Sequence, residues 1–293
     1  MEQALFNGIC RGAVDSVTAL GFGLIFFAAR TFHVAHGAVF TSGAYIAYAC
    51  VQQGLPLGIA AAVGIAGAAA VGVAIEWLVY RPLMDPAVAT RSSSAVIMMS
   101  SIGANTVLMH SIALAWGSDN KVLRTGSETP VPLGNAVVTQ LQLIQIGVSL
   151  LVLAVFAVVF TRTRLGKLLL TLADDPVLLE LRGRDTRLVR LAVFAAGSAL
   201  AGLGGVLSAS DVGMNPHEGF WVVLVAAVAT IFGGMGKFFG PALGAYLIGI
   251  LQSLVVWQTS SRWTPAVVFG LLILTLLVRP QGLLAGAKRT EES

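Results

Sequence analysis

The chain has 293 residues, 56% of them hydrophobic and only 11% charged, with 18 Lys and Arg against 14 Asp and Glu. Its mean hydropathy is +0.85, and soluble domains run near a quarter charged, so this composition excludes an ordinary soluble protein and makes lipid the solvent. The basic balance, a sequence pI near 9.4, does not indicate nucleic acid, because the basic residues fall in short loops between apolar runs, as membrane insertion demands.

The first apolar stretch, Asn7 to Ala29, ends at Arg30 and holds Arg11 and Asp15 four apart. Such a pair near a segment end reads as a structural ion pair, with a proton relay as the alternative. The N-terminus MEQALFNGICRG starts with an acid and lacks a basic flank and cleavage pattern, so no signal peptide is expected. Cys10 and Cys50 stand alone and match no metal or disulfide spacing.

The next uncharged run, Thr31–Ile75, is 45 residues long. An apolar helix needs ~20 residues to cross ~30 Å of hydrocarbon, so this run holds two segments. Its start carries His33, His36, Gly37, Gly43 and Tyr45. Glycine-broken polar backbone at membrane depth is tolerated only against protein or a water-filled path, which makes part of 31–51 a candidate re-entrant segment. His33 and His36 share a helical face. Three roles stay open for them: hydrogen bonds to neighbouring helices, lining of a polar path, or metal ligation, for which no nearby carboxylate or cysteine completes a set. Glu76, four before Tyr80 and five before Arg81, reads as a structural pairing near the interface.

Ser92–Ser118 places Ser101, Asn105 and Thr106 on similar faces, where they either line a path for a small polar solute or hold helices together. Beyond the polar loop 117–132, Thr129–Thr161 holds one segment. Thr161 to Arg190 then carries seven of the 18 Lys and Arg, with Asp174, Asp175, Glu180 and Asp185. Its centre predicts a short capped helix: Asp175 accepts from the first free N–H groups, Pro176 fits the first turn, and Gly183 closes the far end in a left-handed conformation. Val177, Leu178 and Leu181 give that helix one apolar face, protruding from the membrane domain.

Leu191–Ser210, Gly219–Gly236, Phe238–Ser261 and Trp263–Val278 each hold one more segment, for about nine in all. The glycine cluster Gly233-Gly234-Met235-Gly236 reads as a turn, with an interrupted helix pair at the mouth of a path as the alternative. With Lys237 it fails as a phosphate loop, since Ile231 stands where the first Gly belongs and Phe238 replaces Ser or Thr, so no nucleotide is expected on this chain. Small residues at every fourth position (Gly64, Ala68, Gly72; Gly197, Ala201, Gly205; Gly240, Gly244) predict close packing against helices of this chain or of a partner.

Lipid cannot satisfy open strands, and the alternation of a membrane barrel is absent. The expected fold is therefore all-α: one polytopic transmembrane helical bundle over 1–293, of about eight to ten segments, with a polar region at 162–190. Alternating the loops puts Arg30, Arg81, Arg91, the polar region, Lys237 and the tail on one side, with 14 of the 18 Lys and Arg. By the positive-inside rule that side, and the C-terminus, is cytoplasmic.

Several short motifs recur in a fixed order: Asn7-Gly8, Arg30-Thr31-Phe32-His33, Gly43-Ala44-Tyr45, Tyr80-Arg81-Pro82-Leu83, Ser101-Ile102-Gly103, Ala173-Asp174-Asp175-Pro176, Leu181-Arg182-Gly183, Ile231-Phe232-Gly233-Gly234, Gly240-Pro241-Ala242-Leu243-Gly244 and Arg279-Pro280-Gln281-Gly282. Over nearly its whole length the chain thereby resembles the membrane permease subunits of ABC importers for branched-chain amino acids, a family whose relatives also carry urea, amides and aromatic acids. The resemblance implies a non-catalytic, multi-pass permease of the bacterial inner membrane. It would pair with a homologous second permease, two cytoplasmic ATPases that hold ATP and Mg, and a periplasmic solute-binding protein, with no cofactor on this chain. The short helix becomes the coupling helix (Ala173, Asp174, Asp175, Pro176, Leu178, Leu181, Arg182, Gly183), and the candidate path residues are His33, His36, Ser101, Asn105, Thr106, Gly233 and Gly234.

Three positions depart from the family pattern: His33 stands for Asn, Asp15 for an aromatic, and Leu170-Thr171 for Arg-Ala. The first two lie in segments that border a path, so the solute need not be a branched-chain amino acid; the third touches the detail of ATPase docking. A stand-alone secondary carrier or channel is the rival reading, disfavoured by the scarcity of buried acids. An intramembrane enzyme would need a catalytic constellation that the sequence does not offer.

Overall fold

The structure, a computed structural model, describes residues 1–84, 93–124, 130–133, 136–174, 176–181, 183, 185–234 and 239–284. The chain runs through α1 (Glu2–Ala29), α2 (His36–Gln52) and α3 (Leu57–Ile75), which continues through a π-helical turn (Glu76–Tyr80) into α4 (Arg81–Leu83). Then come α5 (Ser93–Trp116), a hairpin of β1 (Pro130–Leu133) and β2 (Ala136–Thr139), α6 (Gln140–Arg162), α7 (Arg164–Asp174) and α8 (Pro176–Leu181). The last four helices are α9 (Thr186–Asp211), α10 (Glu218–Gly233), α11 (Gly240–Gln258) and α12 (Thr264–Val278).

Seven helical rods among the described residues are long and apolar enough to cross a membrane; α10 is a shorter apolar helix, and α2 has 17 residues. Together they account for the nine segments, and the fold is an all-α polytopic bundle. The hairpin is the one departure. Its β-branched Val131, Val137 and Val138 pair antiparallel ahead of α6, outside the membrane-length helices among the described residues. Thr139 then starts α6 with a capping box, its hydroxyl accepting from the Gln142 N–H while Gln142 accepts from the Thr139 N–H.

Helix α1 is the axis of the bundle, packed against α6, α9, α10 and α11. Leu20, Leu24, Ile25, Val39, Phe40 and Phe194 form the core between α1, α2 and α9, and Phe22, Val228, Ile248 and Val268 a second core toward α10, α11 and α12. The rows of small residues are used within this chain: Gly64 and Gly72 of α3 meet α2 and α9, Gly197 of α9 meets α1, and Gly244 of α11 meets α10.

The chain turns sharply after α1. Arg30 adopts a left-handed conformation (φ 52°, ψ 28°), the only positive-φ residue other than glycine among those described, and residues 30–35 fold back without regular helix. Helix α2 therefore starts inside the bundle, with the His36 ring beside Thr18 in the middle of α1, and continues to the opposite end, where Tyr45 packs on Trp116. The segment expected as a candidate re-entrant one has the broken, polar beginning its sequence suggests, followed by helix running on to the other end. Helix α10 also begins at depth: a Cβ on Gly37 or Gly219 would strike the other's carbonyl, so the first turns of α2 and α10 meet backbone to backbone.

Candidate functional site

The polar groups of the bundle converge on the corner between α1 and α2. Because helix α2 starts within the protein, its first N–H groups need internal acceptors. Helix α5 supplies them: the Ser101 hydroxyl accepts from the Ala35 N–H at 2.9 Å and Asn105 Oδ1 accepts from the Ala38 N–H at 3.1 Å. The Tyr80 hydroxyl donates to Ser101 at 2.6 Å and lies 2.7 Å from His33 Nδ1. His36 Nε2 lies 3.1 Å from the Thr18 carbonyl. The two imidazoles are buried with their ring centres 5.7 Å apart, and no group of metal-binding side chains occurs among the described residues.

Glu76 and Tyr80, four apart and at the two ends of the π turn, share the buried face of the third rod. Glu76 pairs with Arg190 of α9, their side chains 5% and 18% exposed. Arg190 donates further to the Ala29 carbonyl at 3.1 Å and to the Thr31 hydroxyl at 3.0 Å. One guanidinium thus ties α3, α9 and the α1–α2 corner together; Arg81, the sequence neighbour of Glu76, takes no part in that ion pair.

A second arginine links the corner to the polar region: Arg30 donates to the Ala173 carbonyl at 2.9 Å. Ala173 stands near the end of α7, an amphipathic helix with Leu165, Leu168, Leu169 and Leu172 on one face and Arg164 and Lys167 on the other. The following short helix, α8, buries Leu179 (1% exposed) against the bundle and leaves Leu181 80% exposed. It ends with Gly183 at φ +72°, whose N–H donates to the Glu180 carbonyl at 2.8 Å. Asp175 and Arg182 lie outside the described residues, and Asp174, Pro176 and Leu178 are described by their backbone alone.

The remaining sites lie apart. Thr106 is exposed on α5 and donates to its own helix at Ile102. Gly233 ends α10 against Gly240, and Gly234 adopts φ +117° as the cap, its N–H donating to Thr230 at 3.1 Å; Met235, Gly236, Lys237 and Phe238 lie outside the described residues. Arg11 and Asp15 stand 3.9 Å apart on a cavity of about 240 Å³ that Gln145, Asp211 and Glu218 also line, toward the opposite end from Arg30. Sequence reasoning missed Arg30 and Arg190 as cluster members. The available signal was that Glu76, a lone acid in a long apolar run, needs a buried cation.

The match to known proteins spans the chain. The family model described as branched-chain amino acid transport system, permease component, covers residues 4–277. The high-affinity branched-chain amino acid transport system permease protein LivH of Escherichia coli K12 is 28% identical over 96% of this chain and 94% of its own length. Its counterpart BraD of Pseudomonas aeruginosa is 29% identical over 96% and 95%. The high-affinity branched-chain amino acid transport system permease protein LivM of Escherichia coli K12 is 30% identical over 47% of this chain and 33% of its own length. Among solved structures, PsaBC from Streptococcus pneumoniae in complex with Fab shares the fold at a TM-score of 0.54, with 13% identity over 94% of this chain and 91% of that one. The corner built by Arg30, Glu76, Tyr80 and Arg190 thus belongs to a multi-pass membrane protein of the branched-chain amino acid transport permease family.

Proposed function

We propose that this chain is one membrane half of an ATP-driven importer that moves a small polar or amphipathic solute, a branched-chain amino acid or a related amino acid, amide, urea or aromatic acid, into the cytoplasm of a bacterial cell. The positive-inside bias supports a cytoplasmic side for the Arg30 end and the C-terminus. The carrying observation is the short helix α8, which exposes Leu181 on the end that holds most of the basic residues and is joined to the α1–α2 corner through Ala173 and Arg30. Such a knob suits the groove of a motor protein, and the arginine link carries its displacement to the broken segment beside α5. A homologous second permease, two ATPases and an external solute-binding protein complete the assembly; the likeness to both LivH and LivM supports the pair of permeases. ATP and Mg sit on the ATPases, and this subunit does no chemistry. Solute passes by alternating access, which requires the knob to contact the ATPase differently in its two states.

Purification of the chain from its own cells in mild detergent tests the assignment. An ATPase that copurifies in stoichiometric amount supports it; solute uptake into vesicles that contain this chain alone, without any ATPase, contradicts it in favour of a stand-alone carrier.

A further inference from the structure

We infer that the Arg30 end of the bundle holds a site for one anionic phospholipid, with its phosphate in a basic cavity and an acyl chain in the apolar groove beside it. The cavity measures about 490 Å³ and is walled by Arg30, Arg81, Arg187, Arg190, Thr186 and Glu76. Four guanidiniums thus face one carboxylate among the described residues. That carboxylate is taken by Arg190; of the acids beside the cavity, Glu180 accepts from the Thr186 hydroxyl and Asp185 caps α9 by accepting from the Arg187 backbone N–H. Guanidiniums match phosphate oxygens through paired N–H donors, and basic pockets between membrane helices capture anionic head groups.

The groove distinguishes a lipid from a free anion. A second cavity of about 490 Å³ shares Ala29, Arg30, Met84 and Arg190 with the first, and its other walls are Phe26, Phe32, Ala95, Ile97 and Met98. Thr31 apart, those other walls offer only carbon and sulfur side chains, and Met98 on α5 is part-exposed on the flank of the bundle. A charged cavity that shares walls with an apolar slot has the shape of a head group followed by a chain. A free phosphate would use the first cavity and leave the second empty.

The test uses the complete importer, released from nanodiscs of equal phosphatidylglycerol and phosphatidylcholine and read by native mass spectrometry. The wild type retains phosphatidylglycerol in preference to phosphatidylcholine. The double variant Arg81→Ala/Arg187→Ala lowers that preference roughly thirtyfold, from the effect of two arginines near the surface. Arg279→Ala, which removes a charge after α12 and away from both cavities, leaves the preference unchanged. Met98→Trp, which fills the groove, lowers retention without removing any charge. Unchanged preference in the double variant overturns the site. Displacement of the lipid by inorganic phosphate as readily from Met98→Trp as from wild type, with equal retention in both, reduces it to a free-anion site and also overturns the inference. Gel filtration with the second permease confirms that each variant is folded.

Discussion

Arg190 holds the α1–α2 corner together. Its guanidinium satisfies Glu76, the Ala29 carbonyl and Thr31 in one place, so Arg190→Ala leaves a buried carboxylate and a helix end without partners. The expected loss is about 3–5 kcal/mol, read as a lower unfolding temperature in detergent. The paired replacement Glu76→Met/Arg190→Leu removes both charges and is expected to be near neutral in stability, because an apolar pair of similar volume needs no desolvation. Tyr80→Phe deletes the hydroxyl shared by His33 and Ser101 and is expected to cost about 1–3 kcal/mol by the same measurement. At this scale the sequence was only half legible. Ser101, Asn105, His33 and His36 announce themselves as polar groups in apolar runs, but their partners do not: Glu76 and Arg190 are 114 residues apart, and no local pattern joins them. The π turn at Glu76–Tyr80 is likewise silent in the sequence, since its residues fit an ordinary helix equally well.

Helices in lipid are held by close backbone approach more than by hydrophobic burial, and α1 shows it. A Cβ on Gly12 would stand 2.8 Å from the Tyr246 Cα of α11, whereas one on Gly103 of α5 would meet nothing within 4 Å. Gly12→Leu is therefore expected to separate α1 from α11 at a cost of about 1–3 kcal/mol or more, seen as reduced yield and faster proteolysis, while Gly103→Leu behaves as wild type. The long rods were readable from uncharged runs of the right length, and the small-residue rows correctly marked contact faces. The start of α2 was readable only as a disturbance at His33–Gly43; that it is a helix beginning at depth, capped by α5, follows from long-range hydrogen bonds. The hairpin 130–139 escaped notice because its valines read equally well as the beginning of the α6 span.

At the scale of the whole molecule, two arginines join the elements at one end of an apolar bundle. Arg190 fastens the corner to α3 and α9, and Arg30 fastens it to the end of α7, so displacement of α8 has a short path to the broken entrance of α2. Composition gave the membrane class, uncharged runs of the right length gave the segments, and the ordered motifs gave the family. The most direct measurement is ATP hydrolysis and solute uptake, recorded together in proteoliposomes of the complete importer with Leu178→Pro in α8. Continued ATP hydrolysis with uptake reduced to the level of empty vesicles is the predicted result. Uptake at the wild-type rate would contradict the coupling role of this helix.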